Sequence, residues 1–232
     1  MSNNMLNDFS GMALFADLNE VERKAVAQRC SWRNYSADEQ IIDRQSDATD
    51  VLFIVEGRVR VVNYSLSGRE ITFDDLGAGS YFGELAAIDS QPRSAGVMAL
   101  TNCTIASMQQ EQFLSLLEEN PSVALRLMRH LTSMVRASTL RIMDLSTLAA
   151  NNRVQADLLR QARVQVDDKG RAIISPIPIH ADIASRVSTT RETVARVLND
   201  LARKGVVIRE KDALVISDLD SFQEMVENVR GD

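Results

Sequence analysis

Cysteine and histidine are scarce in this chain of 232 residues: Cys30 and Cys103 are the two cysteines, and His130 and His180 the two histidines. The cysteines lie 73 positions apart, which excludes a CxxC redox pair and any four-cysteine zinc or iron–sulfur site within one chain. Two histidines also argue against a multi-histidine metal centre, so no metal is expected. Few cysteines point to a reducing, cytoplasmic location. No apolar run approaches the ~18 residues needed to span a bilayer, so no membrane association is expected. The opening MSNNMLNDFSGM has neither a basic n-region nor an apolar h-region, which predicts no secretory signal. What is present is the mix of a soluble globular protein, 45% hydrophobic and 25% charged. That composition argues against disorder, a collagen-like repeat or a disulfide scaffold, and the length suits one large domain or two small ones.

The net charge of −6 looks wrong for a nucleic-acid binder, but the average conceals an asymmetry. Residues 1–149 carry 13 basic and 19 acidic side chains, whereas residues 150–232 carry 13 of each. Within the second part, the window 186–211 holds seven basic residues against three acidic ones. Such an asymmetry points to a nucleic-acid or membrane role for one part of a chain.

Periodicity divides the chain further. Leu14, Leu18, Val21, Ala25 and Val26 recur at helical spacing and predict an amphipathic helix over 14–30. From about 31 to 110 the pattern changes to short β-branched runs, VLFIVEGRVRVV, REITFDDL and TIASMQ, punctuated by glycines. NYSLSGRE between two of them is a hairpin signal. Many short strands at near-regular spacing predict a barrel or jelly roll. Residues 109–118 return to a helix, and Pro121 suits the first turn of another. Between 121 and 145 Met128, Leu131, Val135, Ser138, Ile142 and Leu145 are spaced 3, 4, 3, 4, 3, a heptad seam. The seam suits a dimer interface, and equally a single amphipathic helix lying on its own domain. A Ser-Thr-rich hinge at 145–150 precedes a helix to about 163 and a hairpin around Asp167–Gly170. HADIASRVSTTRETVARVLNDLARKG then reads as two helices joined by a tight turn, and VVIREKDALVIS as a hairpin. Helix-turn-helix plus hairpin is the outline of a winged helix.

The chemistry concentrates in YFGELAAIDSQPRSAGV, residues 81–97. An arginine fork binds phosphate oxygens bidentately, and the hydroxyl of the next residue adds a neutral donor; Arg93 and Ser94 are such a pair. Gly83 lets backbone approach a ligand closely. Glu84 cannot bind phosphate and suits a sugar hydroxyl instead. By residue type alone, the same segment suits a surface loop with one Glu–Arg salt bridge.

FGEL followed by PRSA resembles the phosphate-binding cassette of cyclic-nucleotide-binding domains. With the glycine-spaced strands before it, the long helix and the helix-turn-helix containing TRETVARVL, residues 12–218 resemble the cyclic-AMP receptor protein/fumarate–nitrate regulator family. The resemblance implies an α+β chain: a cyclic-nucleotide-binding, jelly-roll-like β-roll over 1–120, a long dimerisation helix and hinge over 121–147, and a winged helix-turn-helix over 148–232. It implies a non-enzymatic homodimeric transcription regulator, with double-stranded DNA and RNA polymerase as partners and cyclic AMP, or alternatively cyclic GMP, as effector. Gly83, Glu84, Leu85, Arg93 and Ser94 would form the cassette. Ser138 and Thr139, at the polar break of the seam, would meet the base; by pattern alone Ser138 also suits a register-setting role. Two departures bear on the effector. The Glu84-to-Arg93 spacing is one residue shorter than in the cyclic-AMP-binding members, and Met134 stands where they carry an arginine.

In the reader motif, Ile183, Val187, Val194, Val197 and Leu198 form the apolar seam, and Ser188 occupies the turn where the family often has glycine. Arg191, Glu192, Thr193 and Arg196 lie on the first turns of the second helix, where a helix-turn-helix meets base edges. Arg suits guanine, Glu suits the cytosine amino group, and Thr190 and Thr193 suit phosphate oxygens. His180 opens the motif and joins the expected DNA contacts. The bland alternative is the solvated face of an ordinary helix. A redox or haem sensor of the same superfamily is disfavoured by the missing cysteine cluster, and an absorbance spectrum separates it. A hydrolase is disfavoured because neither histidine lies near a nucleophile elbow.

Overall fold

A computed structural model describes residues 9–230 apart from residues 69, 164 and 169. The first eight residues of the segment read as lacking a secretory signal, Arg69 of REITFDDL and Lys169 of the 167–170 turn therefore lie outside the described residues. The chain divides into two compact units, one ending at Met134 and the other beginning at Val135. Among the described residues no helix is long and apolar enough to cross a membrane.

The first unit is a roll of two four-stranded antiparallel sheets. Its strands are β1 (Ser31–Tyr35), β2 (Gln40–Ile42), β3 (Val51–Glu56), β4 (Arg58–Tyr64), β5 (Glu70–Gly77), β6 (Tyr81–Phe82), β7 (Gly96–Ala99) and β8 (Cys103–Met108). The sheets run β1-β8-β3-β6 and β2-β7-β4-β5. The run VLFIVEGRVRVV is therefore two strands in different sheets, parted at Gly57. A side chain there is excluded on two counts: φ is +90°, and a Cβ would lie 2.3 Å from Asn102 O. β3 is a nearly continuous apolar run because both of its faces are covered. Leu52 and Ile54 join Tyr35, Ile42, Val59, Val97 and Ile105 between the sheets. Val51 and Phe53 join Phe15, Met108, Phe113, Leu116, Val123 and Leu127 in a second cluster. That cluster draws on α3 (Gln110–Glu119) and on α4 (Pro121–Thr147), the long helix.

The helix expected over 14–30 is shorter. A 3₁₀ turn spans Ala13–Phe15, and α1 runs Glu20–Gln28. Asn19 accepts from the Glu22 amide while the Glu22 carboxylate accepts from the Asn19 amide, a reciprocal cap that starts the helix there. Leu14 and Leu18 are buried as expected of the apolar stripe, but they belong to the turn and the approach.

The second unit packs α5 (Ala150–Ala162), α6 (His180–Arg186), α7 (Arg191–Arg203) and α8 (Leu219–Arg230) with a sheet in the order β10-β11-β9. Those strands are β9 (Ala172–Ile174), β10 (Val207–Arg209) and β11 (Leu214–Ile216). Ile183, Ala184, Val187, Val194, Val197 and Leu201 enter one core with Leu158, Ile216 and Phe222. The expected hinge narrows to Leu148 and Ala149, because α4 continues to Thr147 and Ala149 is extended at ψ 154°. Helix α8 lies beyond the segment 12–218 and buries Phe222 and Val226.

Candidate functional site

The cassette is built where β6 runs into the short helix α2 (Glu84–Asp89). Gly83 makes the junction at φ +88°, and a Cβ there would stand 2.5 Å from Arg93 Nη1 and 2.9 Å from Asp50 O. Only glycine meets both demands. Gly83, Glu84 and Arg93 are thereby brought together, Glu84 and Arg93 each about 5% exposed. Ser94 is exposed beside them, its carbonyl held by Asn63 Nδ2 at 3.1 Å. Leu85 turns outward.

The Arg93 guanidinium meets protein first. Nη1 donates to Gly83 O at 3.0 Å, and Nη2 donates to Asp50 O at 2.8 Å and to Asp50 Oδ1 at 2.6 Å. Asp50 Oδ2 in turn accepts from the Ser107 hydroxyl. Arg93 Nε is buried and has no hydrogen-bond partner among the described residues. Burial depresses the Arg93 pKa, while Asp50 and Glu84 hold it up. Behind the pair, between the sheets, lies a cavity of about 320 Å³ lined by Arg33, Tyr35, Asp43, Asp50, Arg93 and Ser107 among others.

Burial raises the Glu84 carboxyl above the usual carboxylate range, against its own backbone N–H, His130 and Arg93, which lower it. The His130 ring, on α4, lies 5.1 Å from the ring of Tyr81. A carboxyl whose folded pKa lies above its unfolded value binds more protons in the folded state, so its ionisation costs stability as pH rises through that interval. The penalty is fully present above the folded pKa and absent below the unfolded one, near 4.5. Glu84→Gln is therefore expected to raise the thermal midpoint at pH 7 and to leave it unchanged near pH 4. Equal midpoints for the two proteins at pH 7 would count against a desolvated carboxylate.

Ser138 and Thr139 belong to the second unit. Both are exposed, and the Thr139 hydroxyl donates to Val135 O at 3.0 Å. Around them α4 presents Met134, Val135, Leu140, Ile142, Met143 and Leu145, all exposed. Val135, Ile142 and Leu145 lie on one face, the seam read from the sequence, whereas Leu140 and Met143 project from other sides of the helix.

In the reader motif α6 and α7 are joined through Ser188 at φ +52°, in the left-handed region that glycine, frequent at this turn in the family, adopts without strain. Thr190 caps α7, its hydroxyl accepting from the Thr193 amide at 3.3 Å. The Thr193 and Thr190 hydroxyls lie 3.3 Å apart, so the threonines serve first to start the helix. Arg191, Glu192 and Arg196 are exposed on its first turns, and His180 is half-buried at the first position of α6. The backbone amide of Glu192 and the Thr190 hydroxyl hold the Glu192 carboxyl below its ordinary range, so it is an acceptor at neutral pH. Among the described residues no group of three or more His, Cys, Asp or Glu side chains is placed to hold a metal ion.

Residues 32–120 match the family described as the cyclic nucleotide-binding domain, and residues 152–225 match the Crp-like helix-turn-helix domain. The cyclic AMP receptor protein of Thermus thermophilus is 35% identical over 164 residues, 70% of this chain and 73% of that one. The chain belongs to the cyclic-AMP receptor protein/fumarate–nitrate regulator family. The cAMP-activated global transcriptional regulator CRP of Haemophilus influenzae is 25% identical over 193 residues, covering 81% of this chain and 84% of that one. A solved structure of a CooA mutant from Carboxydothermus hydrogenoformans superposes with a TM-score of 0.76 over 87% of this chain and 90% of the other, at 23% identity, and shares the fold. The protein is a Crp-like transcription regulator with a cyclic-nucleotide-binding domain, not an enzyme.

Within this family member the sequence reading missed Asp50 and His130 as neighbours of the cassette. Asp50 is 43 positions from Arg93, and a lone acid before an apolar strand carries no spacing signal. His130 was visible on the long helix, but only the folded chain sets it against Tyr81.

Proposed function

We propose that the protein is a cytoplasmic, homodimeric transcription regulator gated by cyclic AMP. In this reading residues 1–120 bind the nucleotide, 121–147 join two copies, and 148–232 bind a palindromic DNA site and act through RNA polymerase. The observation that carries the ligand role is Arg93, a buried cation with one donor, Nε, still unpartnered. A buried donor without an acceptor is costly, and a phosphate oxygen supplies the acceptor at charge-assisted strength. The exposed Ser94 hydroxyl adds a second contact to the phosphate, Glu84 accepts from the ribose, and Gly83 and Leu85 frame them. Ser138 and Thr139 meet the base, which links ligand occupancy to the dimer seam. Because nucleotide and DNA bias one equilibrium, each raises affinity for the other by the same factor.

The Asp50–Arg93 pair favours a second reading, a regulator of the same fold that takes another ligand or none, since the cation is already neutralised. Calorimetric titration with cyclic AMP and cyclic GMP decides between them. Heat with cyclic AMP at the lower concentration supports the first reading; preference for cyclic GMP changes the effector; silence with both overturns nucleotide gating.

A consequence follows for the seam. Replacing Ser138 or Thr139 by alanine is expected to reduce nucleotide-stimulated DNA binding more than nucleotide binding itself, because phosphate and ribose contacts stay intact. Equal losses in a fluorescence anisotropy assay and a titration would remove the coupling role.

A further inference from the structure

The last carbonyls of a helix have no partner within it, and α6 is only seven residues long. Here three successive carbonyls at its end are taken by arginines from other elements. Arg141 on α4 donates from Nη2 to Arg186 O at 2.5 Å. Arg153 on α5 donates from Nε to Val187 O at 2.9 Å and from Nη2 to Ser188 O at 3.0 Å. The third nitrogen of the same guanidinium, Nη1, donates to Leu148 O, in the break between α4 and α5, at 2.9 Å. One planar group thus holds the hinge and the reader turn together.

The turn needs such support. Ser188 sits at φ +52°, where a residue with a Cβ is disfavoured, and such a conformation persists only when its surroundings fix it. A separate contact ties the bodies of the helices. Arg186 Nη2 donates at 3.0 Å to Asp157 Oδ2 on α5, and the Asp157 side chain is 1% exposed. Helices α5 and α6 are therefore pinned to one another by a contact separate from those that set their relation to the end of α4. Arg141 and Arg153 are the groups that span that relation. A guanidinium is a rigid fork with fixed donor spacing. Leu148 cannot shift without either breaking its bond to Arg153 or carrying Val187 and Ser188 with it.

We propose that Arg153, assisted by Arg141, is a positioning residue that couples the α4–α5 hinge to the turn presenting the reader helix. The contacts stand independently of the effector; the part played by nucleotide rests on the cyclic-AMP-gated reading above.

The test uses the full-length protein and the variants R153K, R141Q and R160Q. Lysine keeps the charge of Arg153 but cannot hold three carbonyls in one plane. Arg160, itself about half exposed, pairs with the buried Asp157 and touches no turn carbonyl; Asp157 keeps Arg186 and Gln161 without it, so R160Q controls for loss of charge on α5. Hydrogen exchange of the ligand-free proteins is read over residues 187–193, with α5 and α8 as reference. Affinity for a duplex with inverted TGTGA half-sites is read without and with cyclic AMP. In R153K the turn amides are expected to exchange roughly tenfold faster while reference amides hold. Stimulation of DNA binding by cyclic AMP should fall toward one, with cyclic AMP affinity of the free protein within about twofold of wild type. R141Q should move the same way to a smaller extent, and R160Q should match wild type. Wild-type turn exchange in R153K, or wild-type stimulation, overturns the proposal. If R153K loosens the reference helices as well, R141Q decides, and unchanged turn exchange there overturns it. If the wild-type protein itself shows no response to cyclic AMP, the gated reading fails, and the coupling is judged on turn exchange alone.

Discussion

Arg93→Ala is expected to weaken cyclic AMP binding by two to three orders of magnitude, on the order of 3–4 kcal/mol. The size follows from burial. The guanidinium is about 5% exposed, so an anion bound to it is screened little by water. Truncation removes the cation together with the Nε donor and leaves a phosphate in a desolvated pocket facing the Asp50 carboxylate. Removing Arg93 changes an attraction into a repulsion, and this places the expected loss toward the upper part of the range. Arg93→Lys should recover part of the affinity, since charge returns without the fork. The fold should survive, because Asp50 keeps the Ser107 hydroxyl and its side chain is 30% exposed. Calorimetric titration of the folded variant is the measurement. Unchanged affinity would place the phosphate elsewhere and remove the cassette assignment.

What could be read from residues alone was the arrangement whose signals are local. The strand runs and the two reader helices have periodicities that their own burial imposes; the long helix was legible through its lack of Pro and Gly, although its seam residues Val135, Ile142 and Leu145 are exposed. The left-handed turn at Ser188 was legible as a departure from glycine, and the structure puts φ at +52°. The start of α1 was misplaced because Leu14 and Leu18 continue the apolar stripe, while the cap formed by Asn19 and Glu22 decides where the helix begins. At the site, Gly83, Glu84 and Arg93 were legible through one short segment. Asp50 was not, because its contact with Arg93 joins two connecting segments 43 positions apart in sequence. Arg153 was not legible either. Its partners are main-chain carbonyls, and no residue type marks a carbonyl that will need a donor.

The DNA contacts carry the other large expectation. A two-fold dimer presents two reader helices, so the target should be an inverted repeat with half-site centres about one helical turn, ~34 Å, apart. Arg191 and Arg196 are exposed about 1.4 turns apart on α7, and Glu192 between them is held ionised. Resemblance to the family's RETVAR reader implies a TGTGA-like half-site, with each arginine on a guanine and Glu192 accepting from cytosine on the opposite strand. Arg191→Ala and Arg196→Ala should each cost ~1–3 kcal/mol per half-site and relax the choice at one base pair. A dimer loses the contact twice, so affinity for the full repeat should fall by roughly one and a half to four orders of magnitude. Thr193→Ala should weaken all sequences alike, since a phosphate contact carries no base information. Thr190→Ala has a different expected origin: its hydroxyl caps α7, and losing that cap costs ~1 kcal/mol of helix stability before any DNA is met. Selection from a random duplex pool with cyclic AMP present, repeated with each arginine variant, is the test. Recovery of a site without two-fold symmetry, or arginine variants that select as sharply as wild type, would overturn the assignment of this face as the reader.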